Sequence, residues 1–426
     1  MSEAIPRSLS IFFSDFKNFG PSVSGRTTRL KCYDKIITMK QNDTNIPTFK
    51  RSNSKKILLS IAALMIVKGG FFIGCLNPSE RSSGSNSESL IEERIEKFQP
   101  RLDRKRPVIA VIGENEYTEL SDFVVPYGVL SRAKIAEVFA LGTSPGSMRM
   151  FPALQIEIKT TLSDFDRSFP EGADFVIVPA VHHSENNILI RWIQSQASKG
   201  ATIVGICDGA WLLANAGILK GKRATGHWYS LNNLEKKFSD TKWIRNRHYV
   251  VDKKVVTTTG VTASIPISIA LVESIGGKEK ARQIAKEFGV NDWGTSHQTS
   301  NFKLEKEHYW TAAKNFLSFW SRENVGIKVS SGIDEVTLAL VADSYARTYK
   351  TNVFSFSNTT RPVETKGGLL LIPEKNSDEI SIDRKISILE NQSSLASLDE
   401  ALRQIETLYG KLTSSFVALQ IEYEVR

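Results

Sequence analysis

The feature that most constrains the fold is an alternation of short apolar runs with helix-patterned stretches. The apolar runs are rich in Val and Ile and comprise "RPVIAVIG" (106–113), "EVFALG" (137–142), "ADFVIVPAV" (173–181) and "ATIVGIC" (201–207). Helical spacing lies between and after them, at 120–136, 186–200, 209–219 and 262–277, and a hairpin pattern covers 248–260. Runs that are apolar throughout are typical of strands buried on both faces of a parallel sheet. The order therefore predicts an α/β fold with an open, mostly parallel sheet and helices on both faces, of the flavodoxin-like class.

The end of the chain repeats part of this pattern. Residues 323–373 show the order strand, acidic turn, helix, strand, turn, strand, which is also the order of 108–158. The runs "VFAL" (138–141) and "VFSF" (353–356) align, but nothing in the later segment matches the strand–cysteine–helix block. The sequence therefore predicts a main domain at 107–290, a connecting segment at 291–322, and a truncated, degenerate second α/β copy at 323–426.

The N-terminal part has a different character. The net charge of +9 is concentrated before residue 57, and an apolar run interrupted by Lys68 follows at 57–76. About twenty apolar residues span a bilayer, and basic flanks stay cytoplasmic. We expect a basic cytoplasmic segment (1–55), a single-pass transmembrane or signal-anchor segment (56–76), a polar linker (77–106) and extracytoplasmic C-terminal domains. A cleaved signal, or a lipoprotein anchored at Cys75 of "FIGC", remains an alternative.

Several function classes receive no support from composition. The basic segments do not interleave aromatic with basic residues, and no recognition-helix or zinc-finger pattern occurs, so no nucleic-acid partner is expected. The cysteines, Cys32, Cys75 and Cys207, are too widely spaced for a disulfide framework or a metal site. The six histidines do not have the spacing of metal ligands either, which argues against a zinc site. The sequence therefore predicts no bound metal and no cofactor.

The stretch "VGICDGAWLLANAG" (204–217) places Cys207 where a buried strand turns into a helix. A side chain at such a turn lies at the carboxyl edge of the sheet, where the helix N-terminus stabilises a thiolate and free N–H groups can hold an oxyanion. Asp208 and Gly209 suit a helix start and are candidate residues of the pocket or oxyanion hole. The alternative is an inert core cysteine. The charge of Asp208 would itself oppose a low thiol pKa.

The runs at 173–181, 201–228 and 249–277 resemble the ThiJ/PfpI superfamily of class I glutamine amidotransferase-like domains. They look closest to the domain found in AraC-type regulators. The resemblance covers about 107–290 well and 323–420 more loosely. It implies that Cys207 is the reactive elbow cysteine and that His227 of "ATGHW" lies near it.

The resemblance also implies roles for residues of two other loops. Asp122, four residues before Pro126, matches the acidic residue that contacts the sulfur, where the family often has Glu. His182 and His183 follow a strand at the carboxyl edge, where the family often has Gly-Gly. These histidines could narrow the pocket or add a base. Each of these residues also has a purely structural interpretation, as a helix cap or a turn residue.

Three functions follow as hypotheses. The first is a cysteine-dependent hydrolase, deglycase or glyoxalase-like enzyme on a small molecule, with Cys207 as nucleophile and His227 as acid or base. The second is a non-catalytic small-molecule-binding or redox-sensing module in which Cys207 is the sensing thiol. The third is a scaffold in which the two copies pack as an intramolecular pseudo-dimer, or two chains as a homodimer.

Overall fold

The computed structural model describes residues 93–100, 104–376, 381–389 and 391–425. The basic segment 1–55, the apolar segment 56–76 and most of the polar linker lie outside these residues, so the assignments made for them stay predictions. Among the residues described, no helix is long and apolar enough to cross a membrane.

The secondary structure of the described residues follows the predicted order. The strands are β1 (Val108–Ile112), β2 (Glu116–Glu119), β3 (Glu137–Gly142), β4 (Gly146–Phe151), β5 (Gln155–Ile158), β6 (Thr160–Thr161), β7 (Phe175–Val178), β8 (Thr202–Gly205), β9 (Arg223–Ala224), β10 (Lys242–Trp243), β11 (Tyr249–Asp252), β12 (Val255–Thr258), β13 (Glu323–Lys328), β14 (Thr351–Ser357), β15 (Val363–Glu364), β16 (Leu370–Leu371), β17 (Lys375–Asn376) and β18 (Arg384–Ile386). The α-helices are α1 (Leu120–Ala133), α2 (Leu162–Ser168), α3 (Asn187–Ser198), α4 (Gly209–Asn215), α5 (Trp228–Lys237), α6 (Ser264–Gly276), α7 (Lys278–Phe288), α8 (Lys306–Leu317), α9 (Glu335–Ala346), α10 (Ser394–Tyr409) and α11 (Lys411–Ile421).

A seven-stranded sheet forms the centre of the main domain. Its order is β11-β12-β8-β7-β1-β3-β6, and every pairing is parallel except that of β11 with β12. Successive side chains of β1 point to opposite faces of the sheet and join two different hydrophobic clusters. Ile109 and Val111 belong to the cluster that contains α1 and α6. Val108, Ala110 and Ile112 belong to the cluster that contains α3 and α4. A strand whose two faces are both buried needs this continuous apolar run. The predicted α/β fold with helices on both faces is confirmed.

The later segment builds a smaller parallel sheet with the order β17-β14-β13-β18. The corresponding strands of the main sheet, β6-β3-β1-β7, stand in the same order. A further five-stranded sheet, β15-β16-β5-β4-β2, joins strands of both segments, with Leu371 paired to Ile156. The described residues from Glu93 onward form one compact unit. That the later segment is a second copy stays a prediction.

Two stretches differ from their sequence interpretation. Residues 93–100 were assigned to the linker, but Glu93 is buried, forms an ion pair with Arg223 and accepts the Val251 N–H at 2.8 Å. The Phe98 N–H donates to the Ser274 carbonyl at 2.9 Å. A buried ion pair and backbone hydrogen bonds therefore hold residues 93–100 to the domain. The connecting segment 291–322 likewise contains a regular helix, α8.

Helix α4 starts unusually close to the end of β7. A Cβ added at Gly209 would lie 2.1 Å from the Val178 carbonyl oxygen and 3.1 Å from Pro179. Both contacts are with backbone, which cannot move away as a side-chain tip can. Glycine is therefore required here for close packing of helix against strand.

We predict that Gly209→Ala lowers the free energy of unfolding by roughly 3 kcal/mol, because helix and strand must separate. Gly217→Ala is the matched control: its φ is +72°, but nothing lies within 4 Å of the added Cβ, so it should lose about 1 kcal/mol. Urea unfolding of both variants measures the difference. Equal losses would contradict the packing explanation.

Candidate active site around Cys207

Cys207 occupies a strained turn between β8 and α4. Its φ is 54°, in the left-handed region that costs a non-glycine residue about 1 kcal/mol or more. Its N–H donates to Thr258 Oγ1 at 3.1 Å, and the neighbouring Ile206 N–H donates to the Val178 carbonyl at 2.9 Å. These bonds to the adjoining strand β12 and to β7 hold the turn. The structure thus places Cys207 at a sharp strand-to-helix elbow, as the sequence suggests.

The surroundings of the thiol are acidic. Burial raises the pKa of Cys207 well above its usual range, and the charges of Asp122, Asp208 and Glu119 raise it further. The Asp208 N–H donates toward the sulfur and acts in the opposite direction. The sequence predicts two opposing effects on the thiol pKa, a lowering by the helix N-terminus and a rise from the charge of Asp208. Helix α4 is only two turns long, and burial with three nearby carboxyl groups outweighs it. The resting thiol is therefore protonated at neutral pH.

Asp122 lies in the first turn of α1 and is fully buried. Its Oδ2 accepts the Ala180 N–H at 3.1 Å, while its buried Oδ1 has no hydrogen-bond partner among the described residues. Burial raises the pKa of Asp122 to about 7, and the Ala180 N–H and the Arg347 charge counteract part of that rise. A carboxyl group with such a pKa can both take and give a proton near neutral pH.

A buried ionic cluster fixes the start of α1 beside the thiol. Glu119 is the N-cap of α1, and its Oε2 accepts the Asp122 N–H at 2.5 Å. Arg347, from the end of α9, donates to Glu119 Oε1 at 2.6 Å and to Asp343 Oδ1 at 2.5 Å. Asp343 in turn accepts the Ser121 hydroxyl at 2.9 Å. The later segment therefore contributes a cation to the neighbourhood of Cys207.

Sequence reasoning missed Arg347 and Glu119, although the internal repeat contains a signal for both. Aligning "VFAL" with "VFSF" places Arg347 on Arg132 and Asp334 on Glu119. Arg132 donates to Asp334 at 2.6 Å, and Arg347 donates to Glu119 at 2.6 Å. The two ion pairs are thus reciprocal between the two segments, as in an isologous interface.

His227 has hydrogen-bond partners other than the thiol. It is the N-cap of α5, where its Nδ1 accepts the Tyr229 N–H at 3.4 Å. Its Nε2 lies 3.2 Å from the Gln420 carbonyl oxygen, which can only accept, so Nε2 carries the proton. These contacts favour the capping interpretation. A direct acid–base role for His227 at Cys207 stays a prediction.

The other predicted pocket residues divide into two groups. Asp208 is at the elbow: its Oδ2 accepts the Ser230 hydroxyl at 3.0 Å, and its Oδ1 is buried without a hydrogen-bond partner among the described residues. The Gly209 N–H is already used by the Ile206 carbonyl at 2.7 Å, so it does not serve as a free oxyanion donor. The Asp208 N–H is directed at the sulfur.

The paired histidines contact a different loop. The His183 N–H donates to Glu114 Oε1 at 2.8 Å, and its Nδ1 lies 3.1 Å from Glu114 Oε2. The ring centroid of His182 lies 5.8 Å from that of Tyr117. Their contacts join the loop after β7 to Glu114, in the loop after β1, and to Tyr117 of β2. In the described part of the chain, no group of three or more His, Cys, Asp or Glu residues could hold a metal ion.

Comparison with known proteins shows which family this part of the chain is similar to. Residues 108–274 match the model of the DJ-1/PfpI family, which confirms the resemblance to the ThiJ/PfpI superfamily. The transcriptional regulator CdhR of Pseudomonas aeruginosa is 30% identical over 24% of this chain, and the matched part spans only 30% of that regulator. Isonitrile hydratase of Pseudomonas putida is 26% identical over 38% of this chain and 70% of that enzyme. The crystal structure of Drosophila melanogaster DJ-1beta superposes with a TM-score of 0.39 and 22% identity, covering 44% of this chain and all of that one.

Because the pKa of Asp122 is raised, we predict that the free energy of unfolding depends on pH. Between about pH 4, where an unfolded Asp titrates, and about pH 7, the folded protein holds a proton on Asp122 that the unfolded chain has lost. Stability from this group is therefore lost as pH rises through that window. Asn cannot ionise, so Asp122→Asn should gain stability relative to the wild type from pH 4.5 to 8, by up to a few kcal/mol.

Urea unfolding at several pH values measures this difference. Asp164→Asn is a control of opposite sign, because hydrogen bonds from Thr161 lower the pKa of that exposed carboxyl. A constant difference between Asp122→Asn and the wild type over the whole pH range would contradict a raised Asp122 pKa.

Proposed function

Because residues 108–274 form a DJ-1/PfpI domain, we propose that the protein is an enzyme that adds the Cys207 thiol to a small carbon electrophile and completes its hydration or hydrolysis. One observation carries the proposal: the unpartnered Oδ1 of Asp122, on a carboxyl group whose charge acts on the Cys207 thiol and whose pKa is about 7. A buried carboxyl oxygen without a partner is costly. Such a cost is expected where the atom is needed to move a proton.

The proposed first step needs a base because the thiol is protonated at rest. Ionised Asp122 takes the S–H proton while the sulfur forms a bond to the electrophilic carbon, and a π electron pair of the substrate moves to its oxygen or nitrogen. The carbon of an isonitrile keeps the lone pair that it already held, and this lone pair is then the site that accepts the proton. Protonated Asp122 then returns the proton to the substrate. In the isonitrile adduct, water adds across the C=N bond at the same carbon, and the C–S bond then breaks as the formamide carbonyl forms, so that the sulfur recovers a proton from the hydroxyl group. In the hemithioacetal of a 2-oxoaldehyde, a proton first moves from the attacked carbon to the neighbouring carbon to give a thioester, which water hydrolyses to the hydroxy acid and the free thiol. The Asp208 N–H, directed at the sulfur, stabilises negative charge that develops there.

The choice of reaction class rests on the relatives. The enzyme named isonitrile hydratase is matched over 70% of its length, and its name describes the addition of water to a carbon electrophile. Deglycase and glyoxalase-like reactions, which the family resemblance suggests, begin with the same thiol addition to a carbonyl carbon. The elbow and the Cys207–Asp122 pair are compatible with each of these substrates.

A second candidate function is small-molecule binding without turnover. The acidic surroundings that raise the thiol pKa favour it, because thiolate is the reactive form. The same observation weighs against redox sensing, since sensor cysteines are oxidised as thiolates.

We predict that full-length protein incubated with an isonitrile or a 2-oxoaldehyde forms a covalent adduct at Cys207. Asp122→Asn should slow formation of the adduct by roughly 100-fold, because the proton acceptor is lost, and Cys207→Ala should abolish it. Peptide mass spectrometry and product analysis measure both. Saturable binding without adduct or turnover would instead identify a binding module.

We further propose that residues 323–421 are a second, non-catalytic copy packed where a partner subunit would lie. Helices α1 and α9 occupy corresponding positions in the two segments, and their ion pairs Arg132–Asp334 and Arg347–Glu119 are reciprocal. The matching strand order of the two parallel sheets supports the same conclusion. The pseudo-dimer is useful chemically because it brings Arg347 beside Glu119 and Asp122.

The role of Arg347 in positioning Glu119 and Asp122 can be tested by comparing its ion pair to Glu119 with the reciprocal ion pair of Arg132 to Asp334. The charge of Arg347 lowers the pKa of both Asp122 and Glu119, so Arg347→Met should move the pH profile of Cys207 adduct formation upward by about one unit. Arg132→Met removes the reciprocal pair and should leave the profile in place. Arg347→Lys should restore it in part. An unchanged profile in Arg347→Met would contradict the role.

A further inference from the structure

Glu422 has a strained backbone at the end of α11. Its φ is 54°, and it caps the helix in the left-handed conformation that glycine adopts without cost. The corresponding position after α7 is Gly289, with φ 77°. Both helices begin directly after a positive-φ glycine, Gly277 for α7 and Gly410 for α11. The later segment therefore carries a glutamate where the first has glycine, and a strained residue of this kind prompts a search for what its side chain does.

The side chain of Glu422 is buried against the main domain. Its Oε2 accepts the Gly260 N–H at 2.6 Å and the Trp228 N–H at 3.4 Å, and its Oε1 lies 2.7 Å from His297 Nε2. Two backbone N–H groups that converge on one oxygen form a position suited to an anion. Here a carboxylate of the chain itself occupies that position.

The occupied position adjoins the elbow. Trp228 follows His227, whose Nε2 donates to the Gln420 carbonyl in the same C-terminal stretch. A Cβ added at Gly260 would contact both Glu422 and the His227 ring, at 2.4 and 3.0 Å. The charge of Glu422 also acts on Asp208, next to Cys207. Glu422 is therefore part of the surroundings of the candidate active site, although it lies 215 residues further along the chain than Cys207.

We propose that Glu422 is a specificity-determining residue that excludes small carboxylate ligands from the Cys207 site, because its own carboxylate fills the position formed by the Gly260 and Trp228 N–H groups and His297. The inference rests on the proposed function of Cys207 and specifies its substrate class as uncharged electrophiles. Without the Glu422 side chain, the buried Gly260 N–H, the partly buried Trp228 N–H and the imidazole of His297 lack this acceptor, and a small anion is the ligand that would satisfy them.

The test compares two alkylating reagents of similar size on full-length protein. Iodoacetamide is neutral and iodoacetate is anionic, and peptide mass spectrometry follows Cys207 separately from Cys32 and Cys75. We expect Glu422→Gly to raise the iodoacetate-to-iodoacetamide rate ratio at least 10-fold over the wild type. Acetate should then protect Cys207 from iodoacetamide in this variant and not in the wild type. Glu422→Gln keeps the position filled and should retain the wild-type ratio.

Lys134→Gly is the matched backbone control. Lys134 is an exposed helix-capping residue with φ 55°, so this change relieves the same kind of strain far from any carboxylate position and should leave the ratio unchanged. A ratio unaffected by Glu422→Gly, in protein that iodoacetamide still labels, would overturn the inference and leave the proposed function intact. Failure of both reagents to label Cys207 in native wild type and variants would instead count against Cys207 as a reactive site, and so against both proposals.

Discussion

The structure around the elbow depends on how several acidic side chains can be buried together. Asp122, Glu119 and Asp343 are all almost inaccessible to solvent, and burying ionised carboxylates without compensation is costly. Arg347 offsets part of this cost through its bonds to Glu119 and Asp343. The remainder appears as raised pKa values of Glu119 and Asp122. Because Glu119 caps α1, the same ion pair also sets where Asp122 stands relative to the thiol.

This dependence ties the two segments of the chain together functionally. Arg347 comes from α9, whereas Cys207 and Asp122 come from the main domain. Removing the later segment would leave Glu119 and Asp122 without their nearest buried cation and would expose the face of α1 that packs on α9. The later segment has no counterpart of the elbow cysteine, and it supplies Arg347 to the buried cluster at the start of α1.

The second constraint is the close approach of the start of α4 to the end of β7. Gly209 lets α4 start against the Val178 carbonyl, directly after the elbow residues Cys207 and Asp208. The backbone strain at Cys207 is supported by hydrogen bonds to β7 and β12 on either side. A rigid, strained turn holds the sulfur in one place, which a thiol addition requires.

The amino-acid sequence by itself determined the α/β class, the strand–cysteine–helix elbow and the repeated order of elements, because apolar periodicity and glycine placement are local properties of the chain. It also pointed to Asp122 through the family resemblance. Only the tertiary structure decided the protonation of the thiol, the use of both His227 nitrogens in hydrogen bonds to Tyr229 and Gln420, and the arrival of Arg347 and Glu422 beside the elbow. Burial and electrostatic interactions act through space between residues that are distant along the chain, so no local pattern encodes them.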